Sequence, residues 1–257
     1  MPRHSDEAVE LRAIPITGMG EILPGDSVAD AILEALGRQR WKLVPGDILV
    51  VKHKIVSKAE AQMVVLDRVR PSAATRRWAA RYKLDARVVQ LAVEQAKRVV
   101  RRRHGVIITE TPHGLVCANS GVDVSNVDGG RCAVLLPADP DRSAREIHRA
   151  IKKKLGVSVP VLITDSFGRP WREGLCDVAI GVAGMKPFRD FRRQRDPHGY
   201  RLRASLEAVA DELACTAGLA CGKLSRSPAC IIRGFRYQAG RGSARQLIRP
   251  KSRDLFR

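Results

Sequence analysis

The pattern of apolar and polar positions along the 257-residue chain predicts short helices interleaved with short strands. Residues 27–38, SVADAILEALGR, begin with a serine suited to capping a helix and repeat apolar residues three and four positions apart. Residues 47–52, DILVVK, follow a Pro45-Gly46 turn as an apolar run that is typical of a buried strand. The chain is therefore predicted to open with a helix followed by a strand.

Residues 72–103 have helical periodicity over most of their length and predict two helices. Ser72 and Asp85 are the candidate N-caps of these helices. The apolar residues of the second helix fall on one face, which we expect to pack in the core. This apolar stripe consists of Val89, Ala92, Val93, Ala96, Val99 and Val100.

The rest of the chain alternates between strand and helix patterns. We predict a hairpin from 105–109 and 114–118, strands at 159–165 and 229–234, a helix starting near Asp141 or Ser143, and a helix over 205–219. Interleaved helices and short strands, some joined by hairpins, favour a mixed α+β fold over a doubly wound parallel sheet. No repeat or low-complexity linker divides the chain, so we expect residues 1–257 to form a single module.

Composition indicates a folded, non-membrane protein. Hydrophobic residues make up 44% and charged residues 28% of the chain, which is usual for a globular domain. No run approaches the roughly 20 apolar residues that a membrane helix needs, and the first residues carry acids where a signal peptide is apolar. We therefore expect a cytoplasmic location. The six cysteines include no CxxC pair, so they indicate buried thiols rather than a zinc site or a disulfide scaffold.

The formal net charge of +19 favours anionic partners such as nucleotides, phosphorylated metabolites or nucleic acid. Blocks of cations at 97–103, 152–154 and 189–195 carry much of this charge, and the first two are also consistent with solvated helix faces. With 4% aromatic residues there is little material for stacking bases, which argues against a dedicated nucleic-acid binder. A non-catalytic basic protein that binds nucleic acid or anionic metabolites remains the alternative from another functional class.

A first polar cluster, NSGVDVSNVDGG at 119–130, places Asp123 and Asn126 three positions apart among glycines. Carboxylate and amide oxygens are ligands that Mg²⁺ or Mn²⁺ select, and glycines let backbone amides approach phosphate. The alternative is a turn in which both side chains cap backbone groups.

A second cluster, TDSFGRPWREG at 164–174, puts Asp165 and Ser166 at the end of an apolar strand, followed by Arg169 and Arg172. An acid in this position is a common metal ligand, and arginines beyond it can hold phosphate or carboxylate through paired hydrogen bonds. The alternative is a surface loop of exposed salt bridges.

A third cluster comprises two loops, 16–26 and 53–60, which bracket the first helix and strand. The first loop offers glycine amides, and Lys58 in the second could place a point charge on a phosphate. No P-loop is present, because the nearest string, GLACGKLS at 218–225, has the wrong glycine spacing and lacks a hydroxyl directly after its lysine. Any nucleotide site here is therefore of a different kind.

The strings SGVDVSN, DPDRSA, ITDSFGRPWREG, DVAIGVAG and RDFRRQRDPHGYRLRASLEAVADELA occur in an order and spacing that strongly resembles the coenzyme F420-0:L-glutamate ligase family. The likeness covers nearly the whole chain, and the most specific part runs from TDSFGRPWREG to DVAIGVAG. The chain ends soon after GRGSARQLIRP, so we expect the stand-alone form, without the reductase-like domain that two-domain members carry.

The resemblance implies a mixed α/β fold in an intertwined homodimer that binds GTP, two divalent ions (Mg²⁺ or Mn²⁺) and activating K⁺. It also implies an acyl-phosphate route from F420-0 and L-glutamate. Asp123, Asp165 and Ser166 resemble the family's metal ligands, and residue chemistry adds Arg172 to Asp123 and Asp165 as a catalytic candidate. The residues implied to contact GTP are Met19, Gly20, Glu21, Ile22, His53, Lys54, Lys58, Asn126, Cys221, Gly222, Lys223, Leu224, Ser225, Arg226, Ser227 and Pro228. Because a protonated lysine cannot ligate a cation, we expect Lys223 to contact phosphate.

Overall fold

The computed structural model describes residues 10–125 and 128–255, so the predicted GTP contact Asn126 lies outside the described residues. The helices are α1 (Val28–Arg38), α2 (His53–Ala59), α3 (Ala73–Arg81), α4 (Ala86–Glu94), α5 (Pro140–Leu155) and α6 (Val209–Cys221). The strands are β1 (Arg12–Ile16), β2 (Ile48–Lys52), β3 (Met63–Val65), β4 (Arg98–Arg103), β5 (Val106–Glu110), β6 (Val116–Ala118), β7 (Cys132–Val134), β8 (Val161–Arg169), β9 (Arg172–Ala183), β10 (Arg189–Asp190), β11 (Leu206–Glu207) and β12 (Ala229–Arg233). Short 3₁₀ turns link several of these elements.

A five-stranded sheet in the order β1-β12-β2-β8-β9 forms the centre of the molecule. Only β2 and β8 run parallel in it, and the other neighbours are antiparallel. Three smaller sheets pair β3 with β7, β10 with β11, and β4-β5-β6 in that order, all antiparallel. The prediction of a mixed fold with short, largely antiparallel strands is confirmed.

Helices cover both faces of the central sheet. Side chains alternate along a strand, so Leu49 and Val51 of β2 pack on one face with α1, α2 and α5, while Ile48 and Val50 pack on the other with α6. This burial on both faces explains why β2 and β8 read as continuous apolar runs rather than as alternating ones. The buried part of β8 that leads into Asp165 and Ser166 is thus packed from both sides.

Local capping signals are confirmed where the structure tests them. The side chains of Ser27, Ser72 and Asp85 accept backbone N–H bonds at the starts of α1, α3 and α4. The hairpin of β5 and β6 is confirmed as well. Helix α5 begins one residue before the predicted Asp141, because Asp139 is its N-cap.

The prediction that the second helix of this region continues to residue 103 is wrong. Helix α4 ends at Glu94, and residues 98–103 form β4, which pairs with β5. Only the first part of the apolar stripe, such as Val89 and Ala92, is buried, whereas Val99 is exposed. Residues 98–103 form a strand despite their helical periodicity, because they pair with β5 and because Arg98 forms an ion pair with the buried Glu110.

The predicted start of the last helix at Ser205 is also wrong, since α6 begins at Val209. Residues 206–207 pair instead with 189–190 as the two-residue strands β11 and β10. Four of the six cysteines are buried and two are half-buried, as expected for packed thiols. No helix among the described residues is long and apolar enough to cross a membrane.

Gly181 of β9 lies close against Pro140, the first residue of α5. A Cβ atom at this position would lie 2.3 Å from the carbonyl oxygen of Pro140. We expect Gly181→Ala to lower the free energy of unfolding by about 2 kcal/mol, because the strand or the helix must shift. Urea denaturation measures this difference.

Gly37 in α1 is the matched control, because a Cβ there would meet nothing within 4 Å. Gly37→Ala should raise stability by about 0.5–1 kcal/mol through helix propensity. Equal effects of the two alanine substitutions would contradict the close packing of Pro140 against β9.

Candidate functional site

The parallel pairing of β2 with β8 creates a polar cavity where these strands leave the core. Lys52 at the end of β2 lies opposite Thr164 of β8, and α2 begins at the next residue, His53. A cavity of about 190 Å³ opens there. It is lined by Lys52, His53, Lys54, Asp123, Ser125, Thr164, Asp165, Ser166, Leu175, Asp177 and Lys223.

Asp165 and Ser166 lie where the second polar cluster placed them, at the edge of the buried part of β8. The ring of His53 is buried, and its Nε2 lies 3.3 Å from Asp165 Oδ1. This nitrogen makes no hydrogen bond with any described residue, while the other ring nitrogen lies 3.2 Å from Ser57 Oγ. A buried polar atom without a hydrogen-bond partner costs free energy, and this one lies beside a carboxylate of the cavity.

Asp123 enters the same cavity from the first polar cluster. Its carboxylate lies 2.7 Å from Lys54 Nζ and accepts bonds from the amide and hydroxyl of Ser125. Burial alone would raise the pKa of Asp123, but the hydrogen bonds from Lys54 and Ser125 and the charge of Lys54 more than offset it and lower that pKa. The Asp123 side chain therefore stays ionised at neutral pH, as a cation ligand must.

Helix α2 and Lys52, the residue before it, contact four segments that lie far apart in the sequence. Lys54 and Lys58, four positions apart on one helix face, pair with Asp123 and with Glu21 of the 19–22 loop. Lys52 donates to the carbonyl of Gly222, in the loop that follows α6. His53 faces Asp165. Three clusters far apart in sequence thus meet around one short helix.

Two of the three predicted nucleotide segments, 19–22 and 221–228, differ in which residues they expose. In the first, Ile22 is buried and Met19 packs against the core, while Gly20 and Glu21 are exposed. In the second, Cys221 and Ser227 are buried. Lys223 lines the cavity, and the carbonyl of Pro228 accepts a hydrogen bond from the Lys52 amide. The exposed residues of this loop include Gly222, Leu224, Ser225 and Arg226.

Arg169 and Arg172 are not brought into the cavity. They pair with each other at the end of the β8–β9 hairpin, where Trp171 is 80% exposed. The prediction of a loop shared with Asp165 is corrected, because residues 164–174 form two paired strands that carry the arginines away from the carboxylate. The role of Arg172 as a catalytic residue stays a prediction.

Asp177 is a cavity residue that sequence patterns did not single out. It lies directly across from Ser166 in the β8–β9 pairing, and Ser166 Oγ donates to Asp177 Oδ1 at 2.5 Å. Its place in a strand of apolar residues, CDVAIGVA, was the available signal, since an acid there needs a partner. Its partner could be identified only once the register was known.

The family model described as F420-0:Gamma-glutamyl ligase matches residues 18–234. The chain belongs to this family. It is 41% identical over 95% of its length to the coenzyme F420:L-glutamate ligase of Methanothermobacter thermautotrophicus, and the aligned region covers 98% of that relative. The ligase of the same name from Methanopyrus kandleri is also 41% identical, over 96% of this chain and 98% of that relative. The one from Methanocaldococcus jannaschii is 41% identical over 85% of this chain and 87% of that relative.

The cavity of this F420-0:gamma-glutamyl ligase family member offers oxygen donors of the kind that a hard cation prefers. Asp123 and Asp165 present carboxylates and Ser166 a hydroxyl. Among the described residues no group of three or more His, Cys, Asp or Glu side chains has the spacing of a complete metal cage. This set fits Mg²⁺ or Mn²⁺ bound through one or two carboxylates, with the remaining positions filled by water and substrate phosphate.

Two wider clefts elsewhere on the described surface lack this chemistry. One, of about 1030 Å³, lies between residues 190–193 and 199–203, and the other, of about 880 Å³, lies between residues 186–192 and the segment 238–253. The carboxylate they share, Asp190, is already paired with Arg192 at 2.6 Å. The smaller cavity at Asp165 is the candidate active site of this family member, because it combines Asp123, Asp165 and Ser166 with the cationic side chains of Lys54 and Lys223.

Proposed function

We propose that this chain is a GTP-dependent ligase that joins L-glutamate to coenzyme F420-0 through an acyl phosphate. The observation that carries the proposal is the convergence of Asp123, Asp165 and Ser166 with Lys54 and Lys223 in one cavity. Carboxylates for cations beside ammonium groups for phosphates are the parts that phosphoryl transfer requires. The names of the relatives supply coenzyme F420 and L-glutamate, and the description of the family supplies F420-0.

The reaction has two steps in this proposal. The γ-phosphoryl group of GTP moves to the terminal carboxylate of F420-0, which breaks the bond to the β-phosphate and releases GDP. The amine of L-glutamate then attacks the acyl carbon, forms the amide, expels inorganic phosphate and loses a proton. Divalent ions, when bound, neutralise charge on the phosphoryl group during the first step.

The residues of the chain have distinct parts in this scheme. Asp123, Asp165 and Ser166 would hold two divalent ions, Mg²⁺ or Mn²⁺, with K⁺ as a further activator. Lys54 and Lys223 would face phosphate oxygens, and Lys54 would exchange its present pairing with Asp123 for them. The homodimer and the cytoplasmic location are parts of the same proposal.

The test is a reconstitution with purified protein, GTP, Mn²⁺, F420-0 and L-glutamate. We expect stoichiometric GDP, phosphate and a product heavier by one or more glutamyl residues, resolved by mass spectrometry. Turnover with a different carboxylate acceptor and none with F420-0 would identify a ligase of another specificity. The absence of GDP and product in every mixture would favour a non-catalytic, anion-binding basic protein.

Lys223 tests the assignment of the cavity to the nucleotide. It lines the cavity and forms no ion pair with the described residues, so a phosphate bound there would meet an unpaired ammonium group. We expect Lys223→Ala to raise the KM for GTP on the order of 10-fold, the value of one charge-assisted hydrogen bond. Lys153→Ala, an exposed position on α5, is the matched control and should change the KM less than about 2-fold. If both substitutions changed the KM for GTP equally, the assignment of this cavity to GTP would be wrong.

A further inference from the structure

Asp177 and Gly218 form a contact directly behind the proposed ligand Ser166. One carboxylate oxygen of Asp177 accepts the proton of Ser166 Oγ at 2.5 Å. The other faces α6 at Gly218, where a Cβ atom would lie only 2.4 Å from Asp177 Oδ2. The carboxylate of Asp177 is thus held between β8 and the backbone of α6. Any residue larger than glycine at position 218 would displace it.

The chemistry of a hydroxyl makes this contact consequential. A serine has one proton to donate and two lone pairs with which to accept or ligate. Because the proton of Ser166 is directed to Asp177, the lone pairs are left for the cavity that Asp165 and Asp123 also line. A neighbouring carboxylate that orients a ligand in this way is a common feature of metal sites.

We propose that Asp177 is a positioning residue that orients the Ser166 hydroxyl as a cation ligand, and that Gly218 is required because it leaves room for the Asp177 carboxylate. This inference rests on the proposed function only in taking Ser166 as a ligand of the divalent ion. Asp177 acts through Ser166, and the small residue on α6 sets the position of Asp177. Two residues outside the proposed ligand set thereby determine the affinity for the cation.

Gly218→Ala is the sharpest variant, because it replaces no residue of the cavity and acts only by moving the carboxylate of Asp177. The atom that it displaces is the far end of a flexible side chain, so the fold can absorb the change. Alanine is also the better helix former, and α6 should therefore keep or gain stability. We expect the melting temperature to stay the same or rise while Mn²⁺ affinity falls on the order of 10-fold, as for other changes that disturb ligand orientation.

The measurement is a Mn²⁺ titration followed by the paramagnetic resonance signal of the free ion, with and without a non-hydrolysable GTP analogue. Gly37→Ala is the control, because that glycine lies in α1 with open space around it. Unchanged Mn²⁺ affinity in Gly218→Ala, or wild-type protein that leaves Mn²⁺ free in both titrations, would overturn the proposal.

A double-mutant cycle separates a positioning role from direct ligation. If Asp177 acts only through the Ser166 hydroxyl, Asp177→Ala should weaken Mn²⁺ binding little further once Ser166→Ala is present. Additive losses would instead make Asp177 an independent ligand and contradict the positioning role. Because the readout is Mn²⁺ binding, a protein that binds Mn²⁺ as expected but makes no glutamylated product would sink the proposed function and leave this inference standing.

Discussion

Replacing Asp165 by Asn should lower the turnover number at least about 100-fold and leave the fold intact. The substitution keeps the size of the side chain and one of its oxygens, but it removes the negative charge that a divalent ion requires. The side chain is 16% exposed and lies at the cavity rather than within the apolar core, so packing is little affected. Steady-state GDP release with GTP, F420-0 and L-glutamate measures the loss, and urea denaturation tests the fold.

Asp67→Asn is the matched control, since Asp67 is an exposed acid that pairs with Arg87 outside the cavity. Its turnover should match that of the wild type. Higher Mn²⁺ concentrations should partly rescue Asp165→Asn if the main loss is metal affinity, and Asp123→Ala should behave in the same way. Full activity in Asp165→Asn would refute the placement of the reaction at this cavity.

Replacing Arg233 by Met should lower the free energy of unfolding by about 3 kcal/mol. Arg233 ends β12 and makes two hydrogen bonds to Asp47, Nε to Oδ1 at 2.7 Å and Nη2 to Oδ2 at 2.8 Å. The Asp47 side chain is fully buried, so methionine would fill the volume of the arginine stem but leave the carboxylate without its counter-charge. Chemical denaturation of the purified variant gives the difference directly.

Arg192→Met serves as the comparison, because Arg192 pairs with Asp190 through a similar fork, but both side chains are nearly half exposed. Loss of that surface pair should change stability by less than about 1 kcal/mol. If the two variants lost the same free energy of unfolding, the burial of Asp47 would not explain the contribution of the Arg233 pair to stability.

Short-range chemistry determined much of this fold. A serine or aspartate before an apolar repeat specifies a helix start because its side-chain oxygen can accept a backbone N–H within the same turn, as Ser27, Ser72 and Asp85 do. Runs of apolar residues identified the central strands β2, β8 and β12 because these are buried on both faces. Asp123, Asp165 and Ser166 could be named beforehand, since carboxylates and hydroxyls beside glycines or strand ends carry a recognisable chemistry.

Long-range pairing decided the rest. Residues 98–103 have the periodicity of a helix, yet they form β4 because β5 offers them a partner, which helical periodicity does not record. The hairpin register sets Asp177 opposite Ser166, and a shift of one residue would have turned Asp177 to the other face of the sheet. The same hairpin carries Arg172 to its exposed tip. The parallel pairing of β2 with β8 places His53 beside Asp165, so α2 connects clusters that the chain separates by about a hundred residues. Sequence alone therefore placed the chain in this ligase family and predicted candidate site residues, and only the tertiary structure decided which of them meet, because strand register and crossover connections depend on partners distant in the chain.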